Sequence, residues 1–384
     1  MDTPEEFIIE SDTGIFVMRI TGSSFVGKRY EGCANGILCT VTLTGLNYKV
    51  SAMDERLDGS EQTFSGKGKA LSFDDMIDSI STWIDENLWS IVEEPCESDV
   101  VYIETSKGNV ASYGYNTHLD GIPILFLHGG PGDGAGTSKM RKLRLNHPVF
   151  TYDQMGCGRS DPIPNLNEWN EEDYFTELKE FIERMEFQKV ILIGASWGAG
   201  LALGYAIRYG CDRIESMILP SPFISSKRWE EDQWKNLESM PEEYQRLMRD
   251  YVEGKGTVED YRRVMSEYYS RFLFTRECNK EIAIASANTE QNDVFKAMWG
   301  TNDFICDGNM KDFDLITHLD KIIVPVLLMC GDSDEVTLET LMEYHSKIKG
   351  SRVSIIPFAG HVLSMEQPEA YASAVKGYLR EFGQ

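Results

Sequence analysis

From residue 98 onward, short apolar runs alternate with stretches of helical periodicity. The runs fall at 99–104, 123–127, 148–152, 189–193, 215–219, 324–330 and 352–357. They are short and bounded by polar or Gly-containing segments, which predicts buried strands. Helical patterns occupy 171–186, 197–209, 337–348 and 364–382. This alternation predicts a mostly parallel sheet with helices on both faces. Between the fifth and sixth runs lies a long segment, 222–313, rich in Trp, Tyr, Met and charge (RWEEDQWKNL, PEEYQRLMRDYV, VEDYRRVMSEYYSRFL). A compact sheet rarely carries a structureless loop of that length, so the segment is expected to form an inserted helical cap.

Residues 1–97 have a different pattern. Segments 6–10, 15–20 and 37–51 have strand character, a polar Gly-rich stretch follows at 58–70, and 72–94 shows helical spacing with Ser72 as N-cap. A small α+β accessory domain is expected here, with self-association or a protein partner as candidate roles. The core then comprises 98–221 and 314–384, and the cap 222–313.

Composition narrows the partners. The chain has 384 residues, enough for two domains or for one large domain with an insertion. With 37 basic and 62 acidic residues the formal charge is −25, which repels nucleic acid and anionic membranes. No apolar run reaches bilayer length, and the opening MDTPEEFIIESD lacks the features of a signal peptide, so a cytoplasmic location is expected. The 8 cysteines are scattered without a C-x-x-C pair or zinc spacing. Free thiols are expected, and neither a metal nor an organic cofactor is called for.

The chemistry concentrates at the ends of the predicted strands. After the apolar run 190–193 the chain reads Gly194-Ala195-Ser196-Trp197-Gly198, followed by a small-residue helical stretch. A serine between glycines at a strand-to-helix turn is either a compact corner or a raised nucleophile. A serine hydroxyl needs an oriented base, and in sheets of this kind the order is Ser, acid, His. His345 lies within a helical pattern, whereas His361 follows a strand's C-terminal end, where reactive groups gather. His361 is therefore the candidate base. The acid should follow VPVLLMC, where Asp332 and Asp334 both qualify; Asp334 is favoured, with Asp332 as a turn residue. The backbone N–H of Trp197 and that of Gly130, in the loop His128-Gly129-Gly130-Pro131-Gly132, are candidate oxyanion donors. A further loop, 153–160 (DQMGCGRS), has no phosphate-binding pattern and is expected to be a structural turn beside the site, with Asp153 and Arg159 as a candidate pair.

Taken in order, HGGPG, DQxGxGxS, G-x-S-W-G, G-x-x-D-E and G-H resemble the proline iminopeptidase family of α/β-hydrolases. The similarity spans roughly 98–384 and is strongest to the tricorn-interacting aminopeptidase type. It implies an α/β-hydrolase fold, a Ser196–His361–Asp334 triad, and removal of one residue from short peptides with a free N-terminus. It further implies that carboxylates hold the substrate's amine. Glu335, directly after the acid, stands at one such position. Asp303, in Met298-Trp299-Gly300-Thr301-Asn302-Asp303-Phe304, stands where the family carries a glutamate. An esterase or amino-acid amidase of the same fold, and a non-catalytic binding protein on this scaffold, are the alternative expectations.

Overall fold

The structure is a computed structural model. It describes residues 100–135, 143, 145–276, 279–288 and 291–381, and before them 6–11, 14–23, 28–34, 37–44, 47–54, 63–69, 76–77 and 79–80. The first part forms an antiparallel meander in sequence order: β1 (Glu6–Ser11), β2 (Gly14–Ser23), β3 (Lys28–Ala34), β4 (Ile37–Thr44), β5 (Asn47–Asp54) and β6 (Thr63–Lys69). The stretch 37–51 covers β4 and half of β5, paired from Thr44↔Asn47 outward. β3 (KRYEGCA) and β6 (TFSGKGK) escape sequence reasoning because charge and glycine mask their alternation. Of the helix expected over 72–94, Met76–Ile77 and Ser79–Ile80 are helical; Ser72 and most of that span lie outside the described residues.

The second part is an eight-stranded sheet in the order β14-β13-β12-β11-β9-β10-β8-β7. Its strands are β7 (Val100–Thr105), β8 (Gly108–Tyr115), β9 (Ile124–Leu127), β10 (Val149–Tyr152), β11 (Val190–Gly194), β12 (Ile214–Pro220), β13 (Val326–Gly331) and β14 (Arg352–Ile356). All seven expected runs are strands. β8, reading GNVASYGY, was not expected, and it pairs antiparallel with both β7 and β10. Strands β9, β11 and β13 (ILFL, VILIG, VLLMCG) read as unbroken apolar runs because each face has its own cover. Val190, Leu192, Met217 and Leu219 face one core, and Ile191, Ile193, Ile218 and Met329 face the other.

Helix α1 (Glu171–Arg184) starts at Asn170, which forms a capping box with Asp173. It buries Tyr174, Phe175, Leu178, Phe181 and Ile182. Its partner α2 (Trp197–Tyr209) lies so near that a Cβ on Gly204 would stand 2.0 Å from the Phe175 ring. Helix α8 (Leu338–Lys347) follows β13. The pattern at 364–382 is two helices, α9 (Leu363–Glu366) and α10 (Pro368–Glu381), because Pro368 has no N–H with which to continue α9.

Segment 222–313 forms helices α3 (Ser226–Glu238), α4 (Glu242–Val252), α5 (Val258–Phe272), α6 (Lys280–Asn288) and α7 (Asp293–Met298). They enclose a core of their own around Met248, Val264, Met265, Tyr268 and Phe304. Buried polar contacts fasten them to the sheet. Asp232 of α3 accepts from the hydroxyls of Thr337 and Thr340 at the start of α8, each at 2.8 Å. Glu366, fully buried, accepts at 2.6 Å from both the N–H and the hydroxyl of Thr275, and from Asn279 Nδ2 at 2.5 Å.

Truncating Glu366 removes the buried acceptor that these donors share. Glu366→Ala is expected to lower stability by about 3 kcal/mol or more in chemical denaturation. Gly377, within α10, has open space where a Cβ would point. Gly377→Ala is expected to raise stability by about 0.5–1 kcal/mol in the same assay.

Candidate active site

The turn after β11 is shaped by close packing. Ser196 adopts φ 53° and ψ −121°, a region side-chain-bearing residues rarely occupy. A Cβ on Gly194 would lie 2.2 Å from the Gly198 carbonyl oxygen, and one on Gly198 would lie 2.2 Å from the Leu127 carbonyl oxygen. Both glycines are therefore required sterically. They let α2 start directly over β11, with Ser196 at the apex and Trp197 as the first helical residue, whose amide has no acceptor within the helix. Ser196 is partly exposed, and its hydroxyl makes no hydrogen bond among the described residues.

Asp334 and His361, the candidate acid and base, come from neighbouring strand ends. His361 Nδ1 lies 2.8 Å from Asp334 Oδ1. Asp334, buried, also accepts from Ser221 Oγ at 2.6 Å, Gly331 N at 3.0 Å and Val336 N at 3.2 Å. Four donors around one carboxylate hold it in place. Asp332 instead accepts from the N–H groups of Phe358 and Ala359, at 2.9 and 3.3 Å. It is a turn residue that ties the β13 end to the His361 loop. His345 turns toward Ser351 Oγ, at 2.8 Å.

Burial alone would lower the pKa of His361, but the charge and hydrogen bond of Asp334 outweigh it and raise the imidazole above its ordinary value. A base so placed takes up a proton readily while keeping its orientation. Trp229 of α3 packs edge-on against the ring, with centroids 5.4 Å apart.

The loop carrying Gly130 is locked to the turn through a polar chain that sequence reasoning missed. His128 Nδ1 meets the Gly129 carbonyl at 2.9 Å, and His128 Nε2 accepts from the Gln154 N–H at 3.0 Å. The Gln154 side chain in turn accepts from the Trp197 indole N–H at 2.9 Å. Gly129 stands next to the nucleophile turn, since a Cβ there would lie 3.3 Å from Ser196 Cβ. Within 153–160, Asp153 meets the Arg159 backbone N–H at 3.0 Å, so the contact is with the main chain and not the guanidinium. Asp153 also accepts from Tyr113 OH at 2.6 Å and from the Ala135 N–H at 2.7 Å. The sequence signal for this chain of contacts was only the adjacency of Asp153 and Gln154 to a strand end.

Ser196 and His361 both line two adjoining cavities. One, of about 400 Å³, has mainly apolar walls that include Phe274, Leu363 and Met365. The other, of about 200 Å³, is walled by Phe223, Trp229, Tyr269, Phe295 and Trp299, and it contains Glu335 and Asp303. The two residues singled out for amine binding are thus brought together, on the same cavity as the serine and histidine. Glu335 is buried, with an oxygen 3.8 Å from His361 Nδ1. Desolvation pushes its pKa up to about 7; the imidazole works against this, and the charges of Asp303 and Asp334 add to it. Desolvation also raises Asp303, while hydrogen bonds from Tyr261 and Tyr269 pull the other way. Among the described residues lining this cavity none is Lys or Arg. It is a pocket with three carboxyl groups, Glu335, Asp303 and the exposed Asp133, and no cation beyond the imidazole.

A family model described as alpha/beta hydrolase fold matches residues 122–368. The proline iminopeptidase of Heyndrickxia coagulans is 30% identical over 282 residues, which is 72% of this chain and 97% of that protein. The chain belongs to the proline iminopeptidase family of α/β-hydrolases. The proline iminopeptidase of Thermoplasma volcanium is 30% identical over 258 residues, covering 65% of this chain and 85% of that one. The crystal structure of Mycobacterium smegmatis proline iminopeptidase superposes with a TM-score of 0.64 over 73% of this chain and 98% of its own, at 23% identity, a likeness of fold. A family member of the Heyndrickxia length leaves more than a quarter of this chain without a counterpart. Among the described residues no helix is long and apolar enough to cross a membrane, and no three His, Cys, Asp or Glu side chains are grouped to hold a metal.

Ser221 has φ 49° and a hydroxyl shared between Asp334 Oδ2 and the His361 carbonyl at 2.9 Å, so it braces both partners. Ser221→Ala is expected to lower kcat roughly three- to tenfold, with KM little changed, in steady-state assays of an aminoacyl substrate.

Proposed function

We propose that this protein is a serine aminopeptidase that releases the N-terminal residue, proline or another apolar residue, from short peptides through an acyl-enzyme. The observation that carries the reading is the pair of carboxyl groups, Glu335 and Asp303, in the same aromatic-walled cavity as Ser196 and His361. A buried and a half-buried acid, with no Lys or Arg in the cavity wall, favour a ligand that brings a positive charge. A peptide's α-ammonium supplies it, and a blocked N-terminus does not. The volume of about 200 Å³ and the ring-rich wall suit one compact apolar side chain.

In this mechanism the ammonium group docks between Glu335 and Asp303, and the scissile carbonyl reaches Ser196. His361, oriented by Asp334, takes the hydroxyl proton as Ser196 attacks. The N–H groups of Gly130 and Trp197 receive the developing oxyanion. His361 then protonates the leaving amine, and a water molecule, deprotonated by the same ring, releases the bound residue.

The same proposal keeps 1–97 as an accessory domain, 98–221 and 314–384 as the hydrolase core, and 222–313 as its cap. The cap's contacts with both the acid turn and the histidine loop support that division. The cysteines whose side chains are described, Cys39, Cys157, Cys211, Cys306 and Cys330, are free and buried, which supports a reducing, cytoplasmic setting.

The test compares prolyl peptides with free and acetylated N-termini. Free substrates are expected to turn over and acetylated ones to lose at least a hundredfold in kcat/KM. Comparable rates on both overturn amine recognition. Glu335→Gln is expected to lower kcat/KM for free peptides about 10- to 100-fold. Affinity is expected to improve as pH rises through about 7, because Glu335 ionises there. It should decline again near pH ~8 as the α-amine loses its proton. A KM independent of pH between these limits contradicts the assignment of Glu335.

A further inference from the structure

The amine cavity fixes the direction of the substrate, and Asp133 stands where that cavity meets the one through which the rest of the peptide must leave. Ser196 sits at the junction of the two cavities, so a peptide whose ammonium occupies the smaller one passes its second residue into the larger. That cavity, of about 400 Å³, presents Phe274, Val362, Leu363 and Met365. Apart from the His128 and His361 rings, its described lining carries one ionisable acid or base of the Asp, Glu, Lys or Arg type, the exposed Asp133, which lines both cavities. Asp133 follows directly on the Gly130 loop, and its carboxylate adds to the field that raises His361. It lines both cavities together with Ser196 and His361, close enough to the reacting groups to act on a charge carried by the leaving residue.

We propose that Asp133 and this apolar cavity make the enzyme selective on the leaving side: it favours peptides of three or more residues with an uncharged, apolar second residue. It rejects dipeptides and acidic second residues. The inference rests on the reading of Glu335 and Asp303 as the amine site. In a dipeptide the leaving amino acid carries its own carboxylate, one residue from the scissile bond, at the junction where Asp133 lies. Each added residue carries the terminal carboxylate up to about 3.5 Å farther away. Two like charges at such separations repel strongly enough, at an effective dielectric of about 20, to change rates by about tenfold, and salt screens the effect because Asp133 is exposed.

The experiment measures kcat/KM for prolyl-leucine, prolyl-leucine amide, prolyl-leucyl-glycine and prolyl-glutamic acid α-amide, which keeps its side-chain carboxylate, with wild type and Asp133→Asn. Wild type is expected to cleave the amide and the tripeptide at least tenfold faster than the dipeptide, and to cleave the glutamyl substrate as poorly as the dipeptide. Both ratios should shrink about fivefold in Asp133→Asn and in 0.5 M salt, by roughly similar amounts. Equal rates for dipeptide and amide overturn the proposal, as do ratios that neither salt nor Asp133→Asn changes. No cleavage of prolyl-leucine amide at all, by protein that is folded by circular dichroism, instead overturns the aminopeptidase reading beneath it.

Discussion

The contact on which the site depends is the approach of Gly198 to the carbonyl of Leu127. No side chain fits there, and the absence of one lets helix α2 begin immediately above the central strands. That closeness holds Ser196 in a backbone conformation it would not choose and leaves its hydroxyl clear of the sheet. It also presents the first amide of α2 beside the loop that carries Gly130. The strain is sustained by the buried packing around it. Trp197 is fully buried against Tyr174, Phe223 and Phe313, and its indole is tied through Gln154 to His128.

A second constraint links chemistry to the cap. The cap braces both of the loops that bring partners to Ser196. Asn236 of α3 donates to the carbonyl oxygens of Asp334 and Glu335, at 3.3 and 3.0 Å. At the other side the N–H of His361 donates to Phe272 O at 2.8 Å, at the end of α5, with Glu366 fastening the turn that follows. Asp334 and His361 thus take their positions partly from the helices of segment 222–313, which also wall the cavity. Binding and catalysis share one set of supports, which is an economical way to keep an imidazole aligned in a small cavity.

Much of this was legible in the sequence where the controlling physics is local. Strand-end glycines, the run after VPVLLMC and the Gly360-His361 pair each announce a turn, and their chain order selects the partners. The sheet was legible too, because strands buried on both faces read as unbroken apolar runs. β8 was not, since GNVASYGY carries glycines and polar residues that only its place between β7 and β10 turns into a strand. Ser221, Gln154 and Glu366 were equally silent: their partners lie 113, 43 and 87–91 residues away. No periodicity encodes such pairings. Asp303 stood out through family resemblance alone, and its neighbours Tyr261 and Tyr269 read as ordinary helix-packing residues until the fold put them beside it.

The central claim is that the hydroxyl of Ser196 is activated by His361. Peptide-level mass spectrometry after treatment with a fluorophosphonate tests it most directly. The account predicts one stoichiometric adduct, on Ser196, that forms on the folded protein and is lost in His361→Ala. An unmodified Ser196 in folded, wild-type protein, or labelling just as fast without the histidine, would contradict it.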